Sequence, residues 1–186
     1  CAEALQSLDE LGGDVPDADN CFHPFKLACD SDDPKLASIA LETMQYLINY
    51  GFLSGRGPDP FHPAETDRCL MDSVVEAICS ITNSGDENVE LLMLRALLTA
   101  VHVPNSAVHL KSLMLTLKTC FTLHRISRHT TSQRSAQVTL TQMLNVIIQR
   151  MELSAASGSQ FMEDDYNGSC SLNKTISKSI YFKSLL

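Results

Sequence analysis

The sequence predicts an all-α protein built as an armadillo/HEAT-like right-handed stack of antiparallel helices. Three observations support this fold class. Apolar residues recur at helical spacing through several long segments, short turns separate these segments, and no run of alternating apolar and polar residues indicates a sheet. A closed helical bundle fits the same pattern and stays open as an alternative, since no consensus of a known repeat family is present.

The first predicted helices differ in length. Two short helices are predicted, over residues 2–11 and residues 22–29, and each is followed by a stretch that contains proline. The first long helix begins after Asp33, a suitable N-cap, with Pro34 at the first helical position, and it ends at Gly51. The residues that follow helical spacing in it are Leu36, Ile39, Ala40, Thr43, Met44, Leu47 and Ile48.

Four further helices are predicted after a Gly/Pro-rich loop at residues 54–63. The first of them spans residues 66–82. The second, residues 87–102, is apolar on nearly every face, which predicts a central position with contacts on most sides. The last two span residues 105–127 and 132–152, and their apolar residues also recur at helical spacing.

The helix predicted over residues 105–127 carries both basic and apolar residues. Lys111, Lys118 and Arg125 are seven residues apart and therefore lie along one edge of the helix. We call these three residues the basic stripe. The residues predicted to point inward are Val108, Leu110, Leu113, Met114, Leu117, Cys120, Phe121 and His124.

The chain after the last long helix is predicted to form a flexible linker and a tail. Ser, Ala and Gly dominate residues 154–160, a composition typical of flexible linkers. Residues 172–186 fit either a short helix or a strand. The predicted organisation is therefore an acidic N-terminal segment at 1–21, a helical domain at 22–152, and a linker and tail at 153–186.

Charge is distributed unevenly along the 186 residues, whose formal net charge is −8. Residues 1–33 hold nine acidic residues and one lysine, and residues 34–90 have a net charge of −6. Residues 91–151 hold seven basic residues and no acidic one. The basic half fits either a solvated helix face or a binding surface for an acidic partner or an anionic membrane. Nucleic acid is not predicted as a partner, because no aromatic residues interleave with the basic ones.

The cysteines predict a reducing, cytoplasmic compartment. There are seven of them, an odd number, and no CxxC pair is present. No signal peptide is visible, and because the chain begins without methionine we expect an excised fragment. The most apolar run, residues 91–103, is too short to span a bilayer and contains Arg95.

No catalytic, cofactor-binding or metal site is predicted from the motifs, and we do not expect an enzyme. The spacings of a phosphate-binding loop and of a nucleophile elbow are absent. His62 lies near Cys69 and His102 lies near His109, but neither pair has a second pair of ligands at zinc spacing.

Two polar features of the predicted helices receive a structural interpretation. Asp72 and Glu76 are four residues apart, and we interpret them as part of a solvated helix face. Acid–base catalysis would require burial to raise the pKa of one of them. We interpret His124 as a core or rim residue whose polar atoms are satisfied, because it shares the apolar face of its helix.

A second candidate binding surface lies at the end of the first long helix. Tyr46 and Tyr50 share a helical edge, Asn49 lies between them, and Arg56 follows in the loop. Aromatic and amide groups at such a position are typical of protein contacts, with core packing as the alternative. We call these four residues the tyrosine surface.

Three stretches of the sequence are similar to segments of a known domain family, namely residues 25–51, 94–101 and 139–152. They include the motifs Phe-Lys-Leu-Ala-Cys-Asp, Leu-Arg-Ala-Leu-Leu-Thr-Ala-Val and Thr-Gln-Met-Leu-Asn-Val-Ile-Ile-Gln-Arg-Met-Glu. Together they resemble the N-terminal dimerisation and cyclophilin-binding (DCB) domain of the large Golgi Arf guanine-nucleotide exchange factors of the brefeldin-A-inhibited (BIG) type. The resemblance covers residues 22–152, and the catalytic exchange domain of that family is absent from this chain.

The resemblance implies a non-catalytic regulatory and interaction module with an armadillo-like helical stack and no cofactor. In the family this domain supports self-association as a homodimer and contacts the neighbouring homology-upstream domain. Some members are recruited to the trans-Golgi membrane by an Arf-like small GTPase in its GTP form. The resemblance therefore implies a cytoplasmic protein that is peripheral on the anionic trans-Golgi membrane. The alternative function is that of an unrelated armadillo-like adaptor or scaffold.

Overall fold

The computed structural model describes residues 18–104 and 108–158. The helix predicted at 2–11 and the tail at 172–186 lie outside these residues. Within the described part the structure contains α-helices, two short 3-10 turns and no strand. The helices are α1 (His23–Asp30), α2 (Pro34–Asn49), α3 (Leu70–Ser80), α4 (Glu87–His102), α5 (Leu110–Ile126) and α6 (Thr130–Gly158), and the turns are Ala18–Cys21 and Ile81–Asn83.

Helix α2 begins and ends where the sequence predicts. The Asp33 side chain accepts a hydrogen bond of 2.9 Å from the backbone N–H of Lys35, and Pro34 occupies the first helical position. Gly51 follows with a φ of 76°, a left-handed conformation that favours glycine. One face of α2 supplies core residues: Ala37, Ala40, Leu41, Met44 and Ile48.

Helix α3 begins four residues later than predicted because the preceding loop pairs with its first turn. The backbone N–H groups of Leu70 and Met71 donate to the carbonyls of Gly57 and Gly55, at 3.0 and 3.1 Å. Gly55 has a φ of 63°, and a Cβ atom there would lie 2.7 Å from the backbone nitrogen of Met71. Only glycine therefore allows the loop to approach the helix this closely.

Helix α4 is the central helix of the described structure, and its predicted bounds are confirmed. The Asp86 side chain caps its first turn by accepting a hydrogen bond of 3.0 Å from the N–H of Val89. The helix packs extensively against α2 and also contacts α3 and α5. Its buried residues are Val89, Glu90, Leu92, Met93, Leu94, Ala96, Leu97, Ala100 and Val101.

The chain divides into two compact units, Cys1–Leu144 and Asn145–Leu186. In the first unit, α1 packs on α2 and α3, α2 packs on α4, and α3 packs on α5. Contacts between each helix and the next but one are typical of stacked helix pairs. The predicted fold class, an all-α helical stack, is therefore confirmed. In the described part of the chain no helix is both long and apolar enough to cross a membrane.

Helix α6 is longer than predicted. It continues to Gly158, so that residues 154–158, the beginning of the predicted linker, are helical. Its first part belongs to the first unit, where Ala136 and Met143 are fully buried. The described part of the second unit, residues 145–158, consists of the remainder of this helix.

Candidate partner-binding surfaces

The two tyrosines of the tyrosine surface are stacked on the outside of α2. The Tyr46 and Tyr50 side chains are 64% and 56% exposed, and their ring centroids lie 6.3 Å apart with an interplanar angle of 8°. Asn49 is also exposed. The alternative interpretation, core packing, is wrong for both tyrosines. Paired aromatic rings in solvent are typical of protein interfaces rather than of an inert surface.

The turn after α2 is held in place from two sides. Phe52 extends the aromatic group, with its ring 6.4 Å from that of Tyr50, and its carbonyl accepts a hydrogen bond of 3.2 Å from Ala18. The Asp19 carboxylate accepts hydrogen bonds from Ser54 Oγ and from the N–H of Gly55, at distances of 3.0 to 3.1 Å. These bonds fix the loop in which Arg56 is exposed.

Two further apolar residues of α2 are exposed on the same side as the tyrosines. Leu36 and Ile39 belong to the residues at helical spacing that predict this helix, but they are 49% and 62% exposed and lie outside the core. At 3.6 residues per turn they share one side of the helix with Tyr46 and Tyr50, opposite the core face. We call these four residues the α2 outer face. Sequence periodicity missed it because apolar residues occur on both sides of the helix.

The basic stripe is exposed along α5, as predicted. Lys111, Lys118 and Arg125 all lie at the surface. The ammonium group of Lys111 is 3.8 Å from the carboxylate of Glu65, and the guanidinium of Arg125 lies 5.9 Å from the ring centroid of Phe121. Exposed ion pairs of this kind contribute little to stability. The stripe is therefore available for another role.

Three apolar residues predicted to point inward from α5 are instead exposed. Leu110, Met114 and Phe121 are 43%, 44% and 41% exposed, so their predicted inward orientation is wrong. They lie on the same side of the helix as the basic stripe, and the six residues together form what we call the α5 outer face. The core side of α5 carries small polar residues as well as leucines: Ser112, Thr116, Leu117, Thr119, Cys120 and Leu123.

The interpretation of Asp72 and Glu76 as a solvated face is wrong, because both belong to polar networks around α3. Glu76 is half-buried and accepts a hydrogen bond from the guanidinium of Arg68. Arg68 Nε also donates to the buried carboxylate of Asp59 at 2.6 Å, and Ser73 Oγ donates to the same oxygen at 2.7 Å. The hydrogen bond to Glu76, opposed in part by burial, raises the pKa of Arg68.

Asp72 lies in a second network, which joins the starts of α3 and α5. Its Oδ2 atom is 3.2 Å from His109 Nδ1 and 3.5 Å from Cys69 Sγ, and those two atoms are 3.5 Å apart. Ser112 Oγ donates to the other carboxylate oxygen. Burial alone would raise the pKa of Asp72, but hydrogen bonds from Ser112, the Cys69 backbone and His109 outweigh it and lower the pKa. Motif spacing could not reveal this cluster, since its members are up to 40 residues apart.

His124, Cys79 and Cys120 have structural roles. His124 Nδ1 lies 2.9 Å from the carbonyl oxygen of Gln133, which confirms the interpretation of a satisfied rim residue. Burial raises the pKa of the Cys120 thiol to about 12 and that of Cys79 to about 11. Thiols held protonated in this way are poor nucleophiles.

Comparison with known proteins identifies relatives along most of the chain. The family model described as "Mon2/Sec7/BIG1-like, dimerisation and cyclophilin-binding domain" matches residues 2–155. The Mus musculus protein "Brefeldin A-inhibited guanine nucleotide-exchange protein 1" is 40% identical over 149 residues, covering 79% of this chain and 8% of that protein. "Brefeldin A-inhibited guanine nucleotide-exchange protein 2" of Arabidopsis thaliana is 30% identical over 143 residues, with 77% and 8% coverage. The Schizosaccharomyces pombe "ADP-ribosylation factor guanine nucleotide-exchange factor sec71" is 27% identical over 152 residues, with 81% and 8% coverage. The chain thus spans less than a tenth of the length of these relatives.

Proposed function

Because the chain belongs to the DCB family of the Mon2/Sec7/BIG1-like proteins, we propose that it is a non-catalytic regulatory and interaction module of a large Arf guanine-nucleotide exchange factor. In this role it supports dimerisation and contacts the neighbouring homology-upstream domain. It also recruits the factor from the cytoplasm to trans-Golgi membranes by binding an Arf-like GTPase in its GTP form. Membership of the family removes the alternative of an unrelated armadillo-like adaptor.

The observation that most supports this proposal is the α2 outer face. Four large apolar side chains, Leu36, Ile39, Tyr46 and Tyr50, remain exposed on one side of a helix whose opposite side is fully buried. The fold gains nothing from their exposure, since apolar area left in water contributes no stability. A protein partner that covers them would bury that area, and tyrosines at its centre are typical binding hot spots.

The position of the tyrosine surface suits a partner that binds to a preformed site. The core face anchors α2, and the hydrogen bonds of Asp19 fix the loop that follows the helix. A surface that is already ordered loses little conformational entropy on binding. Asn49 and Arg56 add polar groups on either side of the turn at Gly51, where they would provide hydrogen bonds at the rim of the contact.

The test is a titration of an Arf-like GTPase, loaded with GTP or with GDP, into the chain. Changing Tyr46→Ala and Tyr50→Ala together should weaken binding of the GTP form by about tenfold or more, as expected for hot-spot residues. Leu27→Ala is a matched control, because Leu27 is 57% exposed but lies on α1. Circular dichroism checks that each variant is folded. Wild-type affinity in the folded double variant would contradict the proposed site.

A second partner, the anionic membrane, is favoured by the α5 outer face. Basic and apolar residues share one exposed side of α5, an arrangement typical of helices that lie at a membrane surface. Lys118 and Arg125 would meet lipid head groups, while Leu110, Met114 and Phe121 would enter the interface. The trans-Golgi location proposed here would then depend on both a GTPase and the lipid surface.

Sedimentation with lipid vesicles tests this second role. Each basic residue near an anionic surface contributes about 1 kcal/mol, so Lys118→Ala with Arg125→Ala should weaken binding to phosphatidylserine-containing vesicles roughly 30-fold. Vesicles of phosphatidylcholine alone should bind the wild-type chain poorly. Lys35→Ala is a matched control, because Lys35 is exposed on α2. Equal binding of the double variant and the wild type would exclude the α5 outer face as the lipid contact.

A further inference from the structure

Three side chains of different chemistry converge between the starts of α3 and α5. Cys69 directly precedes α3, Asp72 lies in the first turn of that helix, and His109 directly precedes α5. One potential ligand atom from each lies within 4.8 Å of the other two. We propose that Cys69, Asp72 and His109 bind a zinc ion that joins the two helix starts.

The distances between the three ligand atoms match those around a tetrahedral zinc ion. Zinc bonds of about 2.3 Å to sulfur and about 2.0 Å to nitrogen or oxygen place the sulfur about 3.5 Å from each of the other ligands, and the nitrogen and oxygen about 3.3 Å apart. The observed separations are 3.5 Å from Cys69 Sγ to Asp72 Oδ2, 3.5 Å from Cys69 Sγ to His109 Nδ1, and 3.2 Å from His109 Nδ1 to Asp72 Oδ2. The ligands are therefore already at binding distance from a common centre.

The chemistry of the three ligands favours zinc over other common divalent ions. A thiolate with an imidazole is typical of zinc sites, whereas magnesium and calcium prefer sites made of oxygen ligands. The His109 side chain is 52% exposed, so a water molecule can reach the fourth position from solvent. Cys69 and Asp72 are buried and fix the inner side of the site.

The surrounding hydrogen bonds orient the carboxylate ligand. Ser112 Oγ donates to Asp72 Oδ1, which leaves Oδ2 directed towards Cys69 and His109. The backbone N–H of Cys69 donates to Oδ2 at 3.0 Å. Such outer partners are a regular feature of zinc sites, because they hold the ligand in its binding orientation.

The positive end of a helix dipole repels a cation, and two features of this site reduce that repulsion. The N–H groups of Leu70 and Met71, which would otherwise point at the ion, donate to loop carbonyls instead. The thiolate of Cys69 and the carboxylate of Asp72 would supply two negative charges, which balance the charge of the ion. The thiol loses its proton when the metal binds, as it does in other zinc sites.

The competing explanation is that the cluster only caps α3. Asp72 and Cys69 form a capping box, and His109 adds one more hydrogen bond. In this explanation the Cys69 sulfur accepts a hydrogen bond from the backbone N–H of Asp72. It does not explain why the same sulfur lies 3.5 Å from both His109 Nδ1 and Asp72 Oδ2. The two explanations differ in a measurable way, because a cap binds no metal.

The experiment uses the tag-free chain after removal of metal with a chelator. Isothermal titration with zinc sulfate measures stoichiometry and affinity, and titration with cobalt chloride reports the ligands by absorption. We expect one zinc ion per chain at this site, a thiolate-to-cobalt charge-transfer band, and visible bands typical of tetrahedral cobalt. Zinc should also raise the melting temperature, because it binds the folded state only.

Variants assign the ion to the three residues. Removing a residue that only hydrogen-bonds to a metal ligand lowers metal affinity about 10- to 100-fold. Because Cys69→Ser and His109→Ala change the ligands themselves, each should lower zinc affinity by at least about tenfold. Cys69→Ser should also remove the charge-transfer band of this site. Ser112→Ala should weaken binding but keep the band. Cys21→Ser is a matched control, since Cys21 is exposed outside the cluster.

Two results would overturn the proposal. One is the absence of saturable zinc binding by the wild-type chain. The other is wild-type zinc affinity and an unchanged cobalt band in both Cys69→Ser and His109→Ala. Because the His109 side chain is half exposed, His109→Ala should remain folded and keep the test decisive if Cys69→Ser unfolds.

Discussion

Helices α4 and α5 have similar lengths and similar numbers of large apolar residues, yet they use them in opposite ways. Leu92, Met93, Leu94 and Leu97 of α4 are all buried. Leu110, Met114 and Phe121 of α5 are exposed beside the basic stripe. Apolar composition therefore does not by itself decide burial, which depends on how many neighbouring helices surround the position.

The difference in burial follows from how many helices pack around each of the two. Helix α4 contacts α2, α3 and α5, so nearly every side of it meets another helix. Its one buried acid, Glu90, accepts a hydrogen bond of 2.7 Å from Ser127 Oγ. Helix α5 buries Leu117, Cys120 and Leu123 beside small polar residues on its other side, but it leaves Leu110, Met114 and Phe121 in solvent. The buried apolar residues of α4 stabilise the fold, whereas the three exposed ones of α5 remain accessible to a partner.

Matched truncations on the two helices should show the largest contrast. Leu97 is 0% exposed, so Leu97→Ala should lower the free energy of unfolding by about 2–5 kcal/mol. Phe121→Ala removes a larger side chain, but it should change the free energy by only about 0.5 kcal/mol, since the residue is 41% exposed. Urea denaturation followed by circular dichroism measures both values. Similar losses for the two variants would show that Phe121 is part of the core.

A second contrast concerns charged side chains. Those of α5 are exposed, whereas those around α3 are buried. Hydrogen bonds from Ser73, the Phe61 backbone, Arg68 and His62 outweigh the effect of burial and lower the pKa of Asp59. The folded pKa is thus below the unfolded value of about 3.9. The stabilisation is fully present above that pH and is lost as the pH falls through the folded pKa.

We therefore expect the free energy of unfolding to fall as the pH is lowered below about 4, by less than the loss in Leu97→Ala. Asp59→Asn should be less stable at neutral pH and should show a flatter acid dependence. Asp67→Asn, at an exposed position, is the control and should keep the wild-type dependence. Urea denaturation at a series of pH values measures the slope. An unchanged slope in Asp59→Asn would mean that this carboxylate contributes nothing to acid sensitivity.

Local signals predicted the bounds of α2 and α4 well. Asp33, Pro34 and Gly51 act within a few residues of the helix ends that they define. The start of α3 was not predictable in this way. Its first N–H groups find partners at Gly55 and Gly57, and the pairing depends on how a distant part of the loop folds back.

The prediction for the inward face of α5 was wrong because a buried polar side chain can form its hydrogen bond within its own helix. Thr116 Oγ1 donates to the carbonyl of Ser112 at 2.9 Å, so the hydroxyl needs no solvent. Of the candidate sites, the tyrosine surface followed from helical spacing alone. The cluster of Cys69, Asp72 and His109 did not, because only the stacking of α3 on α5 brings its members together.

We propose that the outer face of α2 binds the GTPase and that the outer face of α5 does not. One titration series tests it, with the same GTP-loaded Arf-like GTPase added to the wild-type chain, to Tyr46→Ala/Tyr50→Ala and to Lys118→Ala/Arg125→Ala. We expect the tyrosine variant to lose about tenfold or more in affinity and the basic-stripe variant to stay within about twofold of the wild type. A larger loss of GTPase affinity in the basic-stripe variant than in the tyrosine variant, with both variants folded, would contradict the proposal.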